Sequence, residues 1–239
     1  MIQTQKTAAW KEVAQGIAHE IKNPLTPIQL SAERLQRKYA GEITSDKGTF
    51  DTCTDTIIRQ VEDIGRLIDE FSSFAQMPQP HLKPINLSEL CRQIGFLEQN
   101  RFPEIQYELN LPKNDVTLRC DRQQIGQVLT NLLMNAAESI SSRPSTNLEN
   151  IAIGCIYLEL EIDTTSVVLN IVDNGIGLPS GLLDRITEPY VTGRDKGTGL
   201  GLAITNKIME DHNGELILRN NDDMGATATL VFKTTDGSS

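Results

Sequence analysis

Ala18-His19-Glu20-Ile21-Lys22-Asn23-Pro24-Leu25 is the stretch on which the reading of this chain turns. Around it Trp10, Val13, Ile17, Ile21 and Ile28 recur at steps of three, four and seven residues, which lays an apolar stripe along a helix. His19 is two residues from both Ile17 and Ile21, so about 200° around the helix from either. The pattern predicts that it points away from a packed seam and into solvent. Asn23 and Thr26 fall on its own face, and Glu20 adjoins it. A solitary histidine is ordinarily packed or merely solvated. An exposed imidazole beside a carboxylate, mostly neutral at pH 7 with an ordinary pKa of about 6.5, is suited to nucleophilic attack.

The helix that carries it is expected from Thr7 to Tyr39, with Pro24 and Pro27 interrupting it, since proline removes an internal hydrogen bond and bends a helix. After a polar turn from Gly41 to Gly48, a second helix is expected from Phe50 to Ala75. There Ile57, Val61, Ile64, Ile68, Phe71 and Ala75 alternate at four- and three-residue steps as a heptad seam. Two such helices make an antiparallel hairpin with too little core to stand alone, so a homodimer closing a four-helix bundle is expected. The alternative is a monomer whose hairpin packs on its own second domain.

Met77 to Pro84 is rich in proline and reads as a hinge. Beyond it, helices near Ser88–Gln99, Arg122–Ile140 and Leu200–Asp211 mix with strands near 107–111, 116–119, 151–162, 167–172, 215–218 and 227–232. That mixture is an α+β chain whose second domain is a two-layer α/β sandwich. The expected division is a dimerisation and histidine-bearing domain over 1–78, a hinge over 79–84 and a catalytic domain over 85–239.

Four elements of the second domain come in fixed order. Asn131 and Asn135 place two amides on one helical face. Asp173-Asn174-Gly175-Ile176-Gly177 follows an apolar strand, Glu188-Pro189-Tyr190 comes next, and Gly197-Thr198-Gly199-Leu200-Gly201 runs into a helix. Each alone is bland: helix-face amides, a turn signal, a tight glycine loop. Together they suit one ligand. Glycines let backbone N–H groups approach phosphate oxygens at a helix N-terminus. The Asn135 amide oxygen suits Mg2+, and the Asp173 carboxylate can accept a hydrogen bond from a purine amine. No Walker motif is present, and the glycines do not open a parallel βαβ unit.

These segments resemble the sensor histidine kinases of bacterial two-component systems, over almost all of residues 7 to 235. The His19 segment is similar to the phosphoacceptor box, and Asn131–Asn135 to the asparagine box. Asp173–Gly177 and Gly197–Gly201 resemble the two glycine boxes, and Glu188–Tyr190 the phenylalanine box with tyrosine in place. The wording from Ala8 to Leu35, Thr54 to Val61 and Glu70 to Ala75 is similar to the NtrY branch, transmembrane kinases tied to nitrogen regulation and paired with an NtrX-like response regulator. The resemblance implies the ATP-binding fold shared by gyrase, Hsp90, histidine kinases and MutL, with Pro179–Lys196 as a lid. It implies transfer of the ATP γ-phosphoryl group to His19, with Glu20 as acid or base, and onward transfer to an aspartate of a receiver domain. Asn23 would orient water to dephosphorylate that partner. Asn135 would hold Mg2+ and Asn131 would lie near the phosphates. Asp173 would read adenine, Gly175, Gly177, Gly197, Thr198, Gly199, Leu200 and Gly201 would shape the pocket, and Thr227 would approach adenine. One departure matters: Glu138 stands where many relatives carry lysine, so Arg194 and Lys196 are the candidate phosphate-contacting cations.

A net charge of −10 opposes direct nucleic-acid binding. Cys53, Cys91, Cys120 and Cys155 lack paired metal spacing and read as reduced cytosolic thiols. No apolar run approaches a membrane span and no signal peptide is visible. The expectation is therefore a cytoplasmic catalytic core without direct membrane contact, which in a full-length NtrY-like protein would lie on the cytoplasmic side of the inner membrane, its sensing parts missing here. His81 and His212 read as structural or solvated. A gyrase-like ATPase switch, a silent dimeric scaffold and a serine kinase of the anti-sigma sort are the rival classes. The first two lack a use for His19 or for intact nucleotide boxes, and the third needs no exposed histidine.

Overall fold

The computed structural model describes residues 2–144, 153–193 and 198–233, and within the first two helices the side chains of residues 18, 20–65, 67–68 and 71–72. The chain divides into two compact units, Met1–Pro78 and Gln79–Ser239.

The first unit is a helical hairpin of α1 (Ile2–Tyr39) and α2 (Lys47–Gln76). The short connection forces them antiparallel, and Gln36 Nε2 donates to Asp55 Oδ1 across the pair at 2.6 Å. The single helix expected from Thr7 to Tyr39 is present and carries both Pro24 and Pro27 inside it. The carbonyls that lose an in-helix donor are those of Glu20 and Asn23, both exposed residues, so water can bond them. Within one copy the heptad seam divides in two. Alanines on α1 meet β-branched residues on α2 inside the hairpin: Ala18 and Ala32 are buried, with Thr54, Val61 and Ile68 at seven-residue steps. A second set of aliphatics lies on the shoulder of each helix. Ile21, Ile28 and Leu35 are 41–47% exposed, and Ile57 and Ile64 are 43% and 38% exposed. A heptad repeat thus supplies two adjacent apolar stripes, one used within the hairpin and one left outward.

The second unit holds β1 (Lys83–Asn86), α3 (Leu87–Arg101), β2 (Gln106–Asn110), β3 (Thr117–Cys120), α4 (Arg122–Ser141), β4 (Cys155–Ile162), β5 (Ser166–Asp173), α5 (Gly201–Asp211), β6 (Gly214–Asn220) and β7 (Ala226–Lys233). Five strands form one sheet in the order β2-β4-β5-β7-β6, antiparallel except for the β2–β4 pair. β1 pairs with β3 in a separate ribbon. Alternation along β5 buries Val167, Leu169, Ile171 and Asp173 on one face, where Leu129, Leu132 and Leu133 of α4 and Ile204 and Ile208 of α5 complete the core. This is the expected two-layer sandwich.

Local capping explains where the helices start. Asp121 accepts from the Gln123 and Gln124 amides at 2.9 and 3.2 Å and opens α4; Asn86 accepts from Glu89 at 2.9 Å and opens α3. Asp121 also corrects the hinge. Its second oxygen takes the His81 amide at 2.9 Å, and Lys83 and Pro84 pair with Cys120 and Arg119. The stretch expected to swing over 79–84 is therefore tied to the nucleotide domain from His81 onward. Proline is tolerated in β1 because that ribbon has only two strands, so Pro84 needs no second-side donor. His212 serves the same corner: its Nε2 accepts from the Asp121 amide at 3.0 Å and its Nδ1 bonds the Ile208 carbonyl at 2.8 Å. Burial works against the Asp121 carboxylate. Amides of His81, Gln124 and Gln123 nevertheless hold its pKa below the ordinary range.

Candidate functional site

One face of α4 organises the nucleotide domain. Asn131, Asn135 and Ser139 follow at four-residue steps, so they line a single face over about 12 Å. At the first end Asn131 Nδ2 donates to the Gly201 carbonyl at 3.4 Å, which ties α4 to the start of α5. At the other end Ser139 Oγ donates to Asp173 Oδ1 at 3.3 Å. These two contacts mark the ends of the face. Asn135 sits half-buried at its middle.

Asp173 is the last residue of β5 and is only 7% exposed. The same Oδ1 accepts from the Gly175 amide at 2.8 Å, so two donors orient the carboxylate. Gly175 makes this turn possible. A Cβ there would stand 2.5 Å from the Ser139 carbonyl carbon and 2.7 Å from the Ile140 nitrogen, so only glycine lets the loop lie on α4. Ile176 N donates to the Ser139 carbonyl at 3.2 Å and closes the contact. Gly177, at φ 77°, follows against Asn220.

The second glycine stretch is held by Tyr190. Its amide donates to the Gly199 carbonyl at 3.1 Å. Gly199 has φ 70°, and a Cβ on it would lie 2.7–2.8 Å from backbone atoms of Tyr190 and Val191. Tyr190 itself has φ 66°, a rare conformation for an aromatic residue. Just before it, Glu188 receives the Arg185 guanidinium at 2.8 and 3.0 Å, and that partner holds the Glu188 pKa below the usual carboxylate range. Thr198 Oγ1 accepts from the Leu200 amide at 3.1 Å, and Leu200 is buried. Gly201 then opens α5, with open space where its Cβ would be.

Asn131, Asn135, Asp173, Gly175, Gly177, Thr198, Gly199, Leu200 and Gly201 are thus brought to one side of the domain. Thr227 is not. It pairs in register with Val172, whose side chain points to the opposite face from that of Asp173, and its hydroxyl donates to Asn221 Oδ1 at 2.6 Å. The threonine signal failed because the face depends on strand register. Arg194, Lys196 and Gly197 lie outside the described residues, as does the His19 side chain. On α1, Glu20, Asn23 and Thr26 are all exposed. Sequence reasoning missed Ser139, although extending the four-residue step from Asn135 by one turn would have found it. A recess of about 530 Å³ lined by Glu108, Asn110, Tyr157, Glu159 and Val172 lies on the far face of the sheet and has no part in this site.

The residues present fit a magnesium nucleotide. A buried carboxylate ends one side of the face and a helix N-terminus with an uncrowded first glycine ends the other, with amides between them. A buried acid for a purine amine, amide oxygens for a hard cation and a helix start for phosphate form a consistent donor set. This defines an ATP-binding domain joined to a helical hairpin bearing an exposed acid–amide face. Residues 120–236 match the histidine kinase-, DNA gyrase B- and HSP90-like ATPase family, and residues 9–80 match the His Kinase A (phospho-acceptor) domain. The chain belongs to the sensor histidine kinases, of which it holds the catalytic core. It is 49% identical over 234 residues to the nitrogen regulation protein NtrY of Azorhizobium caulinodans, covering 98% of this chain and 30% of that protein. The chain therefore spans about three-tenths of that relative's length. Among solved structures, full-length ShkA in complex with AMPPNP is similar at a TM-score of 0.68 and 21% identity, over 95% of this chain and 47% of that one. Histidine kinase ThkA in complex with the response regulator TrrA is similar at 0.66 and 24%, over 97% and 64%.

Proposed function

We propose that this chain autophosphorylates His19 from Mg-ATP and passes the phosphoryl group to an aspartate of an NtrX-like response regulator. The α4 face carries this reading, because it joins the buried Asp173 carboxylate, fit to read a purine amine, to a helix start fit to bind phosphate. Asp173 accepts from the adenine amine and Asn131 faces the phosphates. Asn135 holds Mg2+, which when bound neutralises charge on the phosphates. On α1 a ring nitrogen of His19 attacks the γ-phosphorus: the P–N bond forms, the bond to the β-phosphate oxygen breaks, and ADP leaves. Glu20 accepts or orients the imidazole proton. The transition state is loose, so positioning and charge neutralisation account for most of the rate.

The hairpin works as a homodimer in this reading. Ile21, Ile28 and Leu35 on α1, with Ile57 and Ile64 on α2, form an outward apolar stripe that a second copy would cover in a four-helix bundle. Asn23, exposed one helical turn beyond position 19, aligns water behind the regulator's phospho-aspartate, so the chain also removes the phosphate it delivers. The functional divisions are 1–78 for dimerisation and phosphotransfer and 85–239 for catalysis. No helix among the described residues is long and apolar enough to cross a membrane. A cytoplasmic setting, beside the inner membrane in a longer NtrY-like protein, accords with the chemistry, since ATP and the regulator are found there.

The test is His19→Gln with radiolabelled ATP. Label should vanish while ATP affinity stays near that of the unmodified chain. Label on the unmodified chain should be acid-labile and base-stable, as a phosphoramidate is. Persistent label on the variant, or acid-stable label, would overturn the assignment.

A further inference from the structure

The β5–β7 ladder ends at the Val172–Thr227 pair, one residue short of Asp173. Beyond it the chain turns away through Gly225, at φ 86°, which is packed so closely on the Asp173 carbonyl that no Cβ could be placed there. At this corner a side chain reaches the Asp173 carbonyl. Asn221 Nδ2 donates to Asp173 O at 3.1 Å and to Met224 O at 3.2 Å. Its amide orientation is set by Thr227, whose buried hydroxyl donates to Asn221 Oδ1 at 2.6 Å. The preceding residue repeats the device at the other end of the loop. Asn220 Oδ1 accepts from Leu178 N at 2.6 Å and its Nδ2 donates to Leu178 O at 2.9 Å, an amide imitating a strand partner. Two consecutive asparagines thus pin residues 173 and 178, the two ends of the loop that carries the purine-reading carboxylate.

We propose that Asn220 and Asn221, the latter oriented by Thr227, are positioning residues that fix the Asp173 loop for recognition of the adenine amine. This rests on the reading of Asp173 as the residue that accepts from that amine. Main-chain placement transfers directly to the carboxylate, because Ser139 and Gly175 already restrict its rotation. Thr227 acts through Asn221 and does not touch the base.

The test compares ATP with purine riboside triphosphate, which lacks the 6-amino group, as ligands of the intact chain. Asn221→Ala and Thr227→Val should each weaken ATP binding roughly three- to tenfold, the size of one neutral hydrogen bond. Affinity for the amine-free nucleotide should hold. Valine keeps the branched shape a strand prefers, so that variant removes only the hydroxyl, and Thr227→Ser should restore discrimination. Equal losses for both nucleotides would mean a merely structural role, and no loss for either would mean the clamp is idle; each overturns the proposal. Asp173→Asn is the reference. If it too fails to distinguish the nucleotides, the adenine reading is what failed and the proposal falls with it. If it distinguishes them and the clamp variants do not, the proposal alone is wrong.

Discussion

Gly199 and Gly201 stand two residues apart in one glycine stretch, and the structure gives them opposite fates on substitution by alanine. At Gly199 the φ of 70° costs an L-residue about 1–2 kcal/mol. The new Cβ would also approach Tyr190 C, Val191 N and Val191 O at 2.7–2.8 Å, well inside the 3.4 Å where ordinary contact begins. All three are backbone atoms, so no rotamer relieves the overlap, and overpacking adds about 1–3 kcal/mol. Gly199→Ala should therefore cost about 3 kcal/mol, a fall of roughly 6–12 °C in Tm for a domain of this size. At Gly201 the Cβ meets nothing within 4 Å and the backbone is helical, so alanine should be neutral or stabilising by up to about 0.5–1 kcal/mol. That open space is where the reading puts phosphate, so Gly201→Ala should nonetheless weaken ATP binding. Calorimetric melts with and without Mg-ATP, alongside titration of ATP into each variant, separate the two effects. A Gly199→Ala chain melting within a degree of the unmodified one would refute the steric argument. A Gly201→Ala chain binding ATP normally would refute the placement of phosphate.

Two further outcomes are expected. Asn23→Ala should leave autophosphorylation and forward transfer intact but slow the decay of purified phospho-regulator in the presence of Mg2+ and ADP; decay at the unmodified rate would make Asn23 structural. Glu98 is buried, which raises its pKa despite Arg101 nearby, with Oε2 3.9 Å from the guanidinium. For an acid whose folded pKa is raised, the unfolded chain gives up its proton first. Stability is therefore highest below the ordinary glutamate pKa of about 4.3 and declines as pH rises through the folded value. Glu98→Gln should accordingly melt above the unmodified chain at pH 7 and alongside it near pH 4. A less stable glutamine variant at pH 7 would mean that the Arg101 pair outweighs burial.

Much of this protein was legible because the relevant signals are local. Periodicity placed α1 and α2, since a helix buries side chains at fixed angular steps. The order of the asparagine, aspartate and glycine segments likewise pointed to one phosphate-bearing ligand, because residue type limits what each can bind, and the family resemblance they carry implied ATP. The sequence left open features set by distant chain. The single heptad seam resolved into an inner stripe with Val61 and Ile68 and an outer one with Ile57 and Ile64, a division that depends on how α1 meets α2. Tertiary structure alone separated Gly199 from Gly201, by bringing Tyr190 against one and nothing against the other. It alone moved Thr227 to the far face of the sheet, because one step of strand register reverses a side chain's side. It alone showed Ser139 and Asn221 reaching Asp173 from 34 and 48 residues away, since the donors that complete a buried carboxylate's surroundings are chosen by packing, which no local pattern records.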